Sequence, residues 1–217
     1  PSSTVENYLK SIYLGQLALP AGTRLVSMGQ VAASVAVTPG TATTMVKALA
    51  ETGLAEYEPY SGGRLTPAGE RLAGRVLRRH RLIELFLVQV MGMSWDGVHD
   101  EAEQLEHVVS ERLIERMDEM LGHPTHDPHG DPIPTAEGTI ALHQLESLLT
   151  CPMRMPLRVT RILDQDPTFL RFIESNDLKP GQRVEVEQRD GAADSVQLRG
   201  QDSRIIVIGA RAASKLL

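Results

Sequence analysis

The feature that most constrains the fold is a series of helix signals at the start of the chain. Apolar residues recur at helical spacing over residues 3–17. Ser27 and Gln30 have the spacing of a capping box, in which each side chain satisfies an unpaired backbone donor at a helix start. Thr38 followed by Pro39 marks the start of a third helix, because threonine is a good N-cap and proline suits the first helical position. The sequence therefore predicts three short helices.

A hairpin pattern follows these helices. Residues 54–58 and 64–66 read as two strands, and Ser61-Gly62-Gly63 forms the turn between them. Three helices and a hairpin in this order indicate the winged form of the helix-turn-helix. The third helix would present a small, polar and cationic face. We therefore predict a DNA-binding surface made by Thr38, Thr41, Thr44 and Lys47, with Arg64 on the wing.

The rest of the chain divides into a helical part and a β part. A long helix is expected over residues 67–91, and another over 95–121 with an apolar stripe that calls for a partner helix. A loop rich in proline, glycine and histidine is expected over 122–134, then a short helix over 139–149. Beyond Pro156, short alternating segments predict a small β-barrel with one short helix.

Charge is distributed unevenly along the chain. Residues 1–81 hold nine Lys and Arg against five Asp and Glu, whereas the remainder holds thirteen against twenty-three. A basic segment suits a polyanion and a carboxylate-rich one suits cations. The chain has a single cysteine, Cys151, and no apolar run of membrane-spanning length, so we expect no membrane association and a cytoplasmic location.

Metal-ligand side chains are concentrated in the helical part. On a continuous helix His99, Glu103, Glu106 and His107 would fall within an arc of about 100° on one face. His80 and Glu84 share a face of the preceding helix. Clustered carboxylates repel one another unless a cation lies between them. Oxygen and imidazole donors without thiolate favour Mn(II), Fe(II), Co(II) or Zn(II), and the abundance of carboxylates favours Mn(II).

Two other sequence patterns bear on metal binding and on catalysis. His123, His126 and His129 lie three residues apart in a loop broken by prolines, and this spacing fixes no shared face, so we interpret them as structural. The sequence contains no phosphate-binding glycine loop and no nucleophile beside a histidine with an orienting acid. We therefore predict that the chain is not an enzyme.

Four motifs carry a resemblance to a known family over nearly the whole chain. They are Glu6-Asn-Tyr-Leu-Lys-Ser-Ile-Tyr13, Arg79-His-Arg-Leu-Ile-Glu84, Val98-His-Asp-Glu-Ala-Glu-Gln-Leu-Glu-His107 and His129-Gly-Asp-Pro-Ile-Pro134. The chain resembles the diphtheria-toxin-repressor family of iron- and manganese-dependent transcriptional regulators. The resemblance implies a mainly α protein with a small β part. Its expected parts are a winged-helix DNA-binding domain over 1–74, a helical metal-binding and dimerisation domain over 75–150, and an SH3-like, FeoA-like barrel over 151–217.

The resemblance also assigns metal ligands. Glu103, Glu106 and His107 match the family's primary, activating site, together with the first-helix position that falls at Asn7. The ancillary site of the family is matched by His80, Glu84 and His99, and Asp166 is the candidate ligand from the barrel. The resemblance thus implies two Mn(II) or Fe(II) sites per protomer, a homodimer, and a pseudo-palindromic double-stranded operator.

The chain departs from the family pattern at three positions. The iron-sensing branch has cysteine where this chain has Glu103, which argues against a soft-ligand iron site. The manganese-sensing branch has aspartate and glutamate where this chain has Asn7 and Lys10, so its paired-manganese arrangement cannot be copied unchanged. Asn7 can still offer its amide oxygen as a hard ligand, whereas Lys10 cannot ligate.

The expected function is a metal-dependent DNA-binding repressor of metal-uptake genes. Two alternatives stay open at this point. A carboxylate-histidine metalloenzyme or metal store would use similar ligands but leaves the winged helix unexplained. A winged-helix regulator that senses a small organic molecule would leave the carboxylate cluster as a solvated surface.

Overall fold

The computed structural model describes residues 1–141 and 143–217, which form two compact units. The first unit contains Pro1–His80, Gln104–Ile114 and Ile133–Ala141. The second contains Arg81–Glu103, Glu115–Pro132 and Leu142–Leu217. The predicted domain boundaries therefore stay predictions.

The first unit begins with the predicted helix-turn-helix. Helix α1 spans Ser3–Leu17, α2 spans Met28–Ser34 and α3 spans Pro39–Glu51. The cap residues act as the sequence indicates. Ser27 and Gln30 form the reciprocal capping box at the start of α2, and the Thr38 side chain accepts a hydrogen bond from the Thr41 amide at the start of α3. These caps fix where α2 and α3 begin.

The hairpin after α3 is the wing. Strands β1 (Ala55–Glu58) and β2 (Gly62–Leu65) pair antiparallel, with Ala55 opposite Leu65. Val26 adds a bridge to Gly63 on the far side of β2. A Cβ at position 62, where φ is +140°, would overlap the Val26 carbonyl, so only glycine allows this close approach. Leu9, Ile12, Val46 and other buried residues of α1–α3 form one core with the wing.

Three further helices follow the wing. Helix α4 spans Pro67–Gln89, α5 spans Val98–Leu105 and α6 spans Glu111–Met120. The single helix predicted over 95–121 is wrong, because residues 106–110 form a turn. Val108 and Val109 are β-branched and favour the helix less, and the Ser110 side chain accepts from the Leu113 amide at 3.4 Å as the cap of α6. Glu106 and His107 therefore lie beyond the end of α5, and the shared helix face predicted for them with His99 and Glu103 is wrong.

The helix predicted over 139–149 is also wrong, since residues 139–141 and 143–149 adopt no helix. Tertiary contacts outweigh the local pattern. The Leu148 amide donates to the Leu216 carbonyl at 2.9 Å, and the Leu148 side chain is buried in the core of the second unit. Contacts with the second unit, and not a local helix, therefore determine the position of Leu148.

The β part of the second unit is a four-stranded antiparallel sheet in the order β3-β4-β5-β6. The strands are β3 (Leu157–Arg158), β4 (Arg183–Asp190), β5 (Ser195–Gly200) and β6 (Ile205–Gly209). Helix α7 (Pro167–Ser175) precedes β4, and α8 (Ala210–Ala213) follows β6. Alternate residues of β5 and β6 are buried, as expected for strands with one face on a core. That core also includes Trp95, Ile162 and Leu178.

Within the described part of the chain, no helix combines the length and apolar character that a bilayer crossing requires.

Candidate metal clusters and nucleic-acid interface

His107 joins the turn after α5 to helix α1 in the first unit. Its Nδ1 lies 2.7 Å from Glu6 Oε2, and its Nε2 lies 2.7 Å from Asn7 Oδ1 and 3.3 Å from Glu106 Oε1. We call Glu6, Asn7, Glu106 and His107 the α1 cluster. Its oxygen and imidazole donors suit Mn(II) or Fe(II). The sequence did not single out Glu6, although it stands next to Asn7 in the first motif.

Glu106 is the buried centre of this cluster. It has no solvent exposure, and Lys10 Nζ lies 2.7 and 2.8 Å from its two carboxylate oxygens. His80 Nδ1 lies 2.6 Å from Glu106 Oε2. A buried carboxylate needs charged or polar partners to offset its lost hydration. Lys10 and His80 supply them.

A second cluster, which we call the loop cluster, consists of Glu84, Asp127 and His129 in the second unit. All three are buried, and each offers a ligand atom within 4.8 Å of the other two. Among the described residues, neither Asp127 Oδ2 nor His129 Nδ1 has a hydrogen-bond partner, although Arg81 Nε forms a longer ion pair with Asp127 Oδ2 at 3.7 Å. Buried polar atoms without hydrogen-bond partners are costly, and a cation between the two carboxylates and the imidazole would satisfy them. The residues present therefore fit a metal ion.

The electrostatics of the loop cluster agree with this fit. Burial raises the pKa of Asp127 well above its usual range, and the nearby carboxylates of Asp131 and Glu84 raise it further. Burial lowers the pKa of His129, which favours the neutral imidazole that metals bind. Its Nε2 lies 3.1 Å from the Trp95 carbonyl oxygen. When Nε2 carries the proton and donates to this oxygen, the Nδ1 lone pair is left for the cluster.

The loop that carries Asp127 and His129 is stabilised by hydrogen bonds to its own backbone amides. Asp127 Oδ1 accepts hydrogen bonds from the amides of His129 and Asp131 at 2.8 and 2.9 Å. Gly130 has a φ of +82°, and a Cβ there would overlap the Thr160 carbonyl. The loop is thus shaped before any ligand arrives.

The structure places the remaining predicted metal ligands as follows. His99 Nδ1 lies 3.2 Å from Glu84 Oε1, and His99 Nε2 lies 3.8 Å from Glu103 Oε1, so these three are neighbours within the second unit. Asp166 is exposed and caps α7, where its Oδ1 accepts from the Phe169 amide at 2.9 Å. Its role as a ligand stays a prediction.

The predicted ligand sets are divided between the two units. The structure brings together Asn7, Glu106 and His107, whereas Glu103 belongs to the second unit. Likewise, Glu84 and His99 belong to the second unit and His80 to the first. The assembly of each complete set as one site therefore stays a prediction.

The three loop histidines, which the sequence analysis interpreted as structural, lie in different environments. His123 and His126 are exposed and contact Asp118 and Thr125. His129 is fully buried in the loop cluster and stacks on Trp95, and the structural role predicted for the three histidines stays a prediction. Spacing alone could not find this cluster, because Glu84 is far in sequence from Asp127 and His129. The signal available was an acid and a histidine on either side of a proline, Asp127-Pro-His129.

The outward face of α3 matches the predicted nucleic-acid surface. Thr38, Thr41, Thr44 and Lys47 are all exposed. The Thr44 hydroxyl donates to the Gly40 carbonyl at 3.1 Å. On the wing, Arg64 pairs with Glu56 at 2.6 Å, and both side chains are well exposed. The surface is therefore open, and its DNA contacts stay predictions.

Comparison with known protein families covers nearly the whole chain. Residues 2–63 match the family model described as iron dependent repressor, N-terminal DNA binding domain. Residues 66–135 match the iron dependent repressor, metal binding and dimerisation domain, and residues 147–217 match the FeoA domain.

Similar proteins agree with these matches. The chain is 32% identical over 154 residues to the iron-dependent repressor IdeR of Mycobacterium tuberculosis, a match that covers 64% of this chain and 66%, just under two thirds, of that relative's length. It is 32% identical over 121 residues to the HTH-type transcriptional regulator MntR of Lysinibacillus sphaericus, covering 56% of this chain and 84% of the relative. A solved manganese-dependent transcriptional repressor in complex with manganese aligns with a TM-score of 0.87 and 38% identity, over 98% of this chain and 97% of that one.

An N-terminal helix-turn-helix with a wing, a helical middle part carrying oxygen and imidazole donors, and a C-terminal FeoA domain define the class of metal-dependent DNA-binding transcriptional regulators. Within that class, the chain belongs to the diphtheria-toxin-repressor family of metal-dependent repressors.

Proposed function

We propose that this protein is a homodimeric repressor of metal-uptake genes that binds a pseudo-palindromic operator when Mn(II) or Fe(II) is present. One observation carries the metal part of the proposal: the buried His129 Nδ1 lies 4.0 Å from both Glu84 Oε2 and Asp127 Oδ1 and has no hydrogen-bond partner among the described residues. The DNA part is supported by the exposed outward face of α3. The similarity to the iron-dependent repressor IdeR and to the solved manganese-dependent repressor supports repression.

The α1 cluster would couple metal to DNA. Asn7 lies on the first helix of the helix-turn-helix, and Glu106 and His107 lie beyond α5. Asn7, Glu106 and His107 would hold the ion, which would supply a strong electrostatic link between these segments. The chain itself already orients His107, because Asn7 Oδ1 and Glu6 Oε2 lie 2.7 Å from its two ring nitrogens. The position of α1 would thus respond to metal.

Restraining α1 matters because a dimer must fit two half-sites at once. Dimeric helix-turn-helix proteins need recognition helices about 34–36 Å apart, one turn of DNA. If about 1% of metal-free dimers hold this spacing, metal must favour the competent state by about 5.5 kcal/mol to reach about 99%. We propose that the α1 cluster provides the switch and that the loop cluster, with His99 beside Glu84, supports it.

The first test is a metal titration of DNA binding. We expect affinity for operator DNA to rise steeply with Mn(II) or Fe(II), to reach a Kd of about 10⁻⁸ M or tighter at physiological salt, and to fall again with chelator. Fluorescence anisotropy on genomic fragments, run metal by metal, would measure this. Metal-independent binding of equal strength would refute the proposal, and tight metal binding without any DNA binding would favour a metal store or metalloenzyme.

The DNA surface can be tested by its salt dependence. Lys47→Ala and Arg64→Ala should weaken binding to all sequences and lower the slope of log Kd against log salt, because each removes a positive charge near the phosphates. Replacement of Thr44 should instead change sequence preference, because its side chain lies on the face expected in the major groove. Unchanged footprints and salt slopes in all three variants would mean that another surface binds DNA.

A further inference from the structure

A cationic side chain, Lys10, lies directly against the α1 cluster. Lys10 Nζ contacts both oxygens of Glu106, at 2.7 and 2.8 Å. The Lys10 side chain is 9% exposed and the Glu106 side chain 0%. A buried ion pair persists only when its geometry is good, because both charges have lost hydration. In this ion pair, the Lys10 ammonium lies almost equally close to both carboxylate oxygens of Glu106.

Each of the two carboxylates in the cluster is balanced by a cationic side chain without metal. Its two carboxylates are Glu6 and Glu106. Arg79 Nη2 lies 2.9 Å from Glu6 Oε1, as Lys10 lies against Glu106. The exposed Glu111 also pairs with Arg79, at 2.8 Å. Each carboxylate of the cluster thus has a cationic side chain beside it.

This balance limits how many divalent ions the cluster can hold. One ion adds two positive charges and can share Glu106 with Lys10, since each carboxylate oxygen has two lone pairs. A second ion would add two more positive charges near a buried ammonium, with no further carboxylate in the cluster. At low dielectric such like-charge repulsion is severe.

We propose that the Lys10 ammonium is a tethered cation of the α1 cluster, which stays on Glu106 when metal binds and limits this cluster to one divalent ion. The inference rests on the proposed metal binding by the α1 cluster. Lysine suits the role because its ammonium is a compact point charge on a flexible stem. Position 10 therefore sets the number of metal ions per protomer.

The test counts Mn(II) ions bound per protomer of the full-length protein by isothermal titration calorimetry. Lys10→Glu replaces the cation with a ligand and should bind one ion more than the wild type. Lys47→Glu, at an exposed lysine of α3, is the matched control and should bind the same number as the wild type. Glu106→Gln should bind one ion fewer.

These outcomes separate the inference from the proposed function. If Glu106→Gln binds as many ions as the wild type, the α1 cluster is not a metal site and the proposed switch fails. If Glu106→Gln loses an ion but Lys10→Glu gains none over the wild type, the tethered-cation inference is overturned.

A second measurement uses the wild type alone, in case Lys10→Glu fails to fold. Amine acetylation followed by mass spectrometry should modify Lys10 much more slowly than Lys47, with and without Mn(II), because Lys10 is buried and stays on Glu106. Faster modification of Lys10 after addition of Mn(II) would show that metal displaces the ammonium and would overturn the inference.

Discussion

His107→Ala and Glu106→Gln are each expected to abolish the Mn(II)-induced gain in operator affinity while the dimer stays folded. Each removes one proposed ligand from the set that links α1 to the segment after α5. Without that link, Mn(II) would no longer favour the DNA-competent spacing of the dimer. Operator affinity at saturating Mn(II) should then fall by about 100-fold, the ratio between a 99% and a 1% competent population.

The measurement is anisotropy across a Mn(II) titration, with the dimer checked by sedimentation. Glu115→Gln is a matched control, because Glu115 is an exposed residue of α6 outside the α1 cluster. It should keep the wild-type response. If both cluster variants retain the full Mn(II) response and Glu115→Gln does as well, the switch lies elsewhere and the α1 cluster is only structural.

The sequence predicted the helix-turn-helix and the wing well because their signals are local. Helix α1 spans the predicted residues 3–17, and the caps at Ser27 and Thr38 place the starts of α2 and α3. Capping depends on residues three positions apart, so a sequence alone contains it. The wing was found for the same reason, since Gly62 marks its turn.

The prediction failed where contacts between residues distant in sequence determine the backbone conformation. The apolar stripe over 95–121 continues through residues 106–110, yet the chain turns there, and Glu106 uses that turn to reach Lys10 and His80. A helix-face argument for Glu106 and His107 therefore named two residues that lie together near Asn7, but with the wrong geometry. The signal for the break was Ser110, a good N-cap directly before Glu111.

The loop cluster escaped prediction for a different reason. Glu84 and His129 are 45 positions apart, as the numbering shows, and only the fold of the second unit makes them neighbours. Burial, which distinguishes His129 from the exposed His123 and His126, cannot be read from a loop rich in proline and glycine. The residue types in the sequence indicate which ligands could be bound, whereas only the fold determines which residues form one cluster.

Asp127→Asn is expected to remove a large part of the thermal stabilisation by Mn(II) without destabilising the metal-free protein. The asparagine Oδ1 can keep the hydrogen bonds that Asp127 Oδ1 accepts from the amides of His129 and Asp131. Its amide group replaces Oδ2, the buried atom without a hydrogen-bond partner among the described residues. The substitution removes the 3.7 Å ion pair between Asp127 Oδ2 and Arg81 Nε, but it also removes a buried negative charge beside Asp131 and Glu84. Because burial and these two carboxylates outweigh Arg81 and raise the pKa of Asp127, the metal-free protein should melt at the same or a higher temperature.

The two effects have opposite signs, which separates a metal site from a structural one. At about 100 times Kd, a bound ion stabilises a protein by about 2.7 kcal/mol, or about 5–10 °C in Tm for a chain of this size. Asp127→Asn should lose about this much of the Mn(II)-induced shift, whereas His126→Ala, at an exposed histidine of the same loop, should keep it. Calorimetric melting with chelator and with Mn(II) measures both. A structural Asp127 would instead give a lower Tm in chelator and an unchanged Mn(II) shift, and that result would remove the loop cluster from the proposed mechanism.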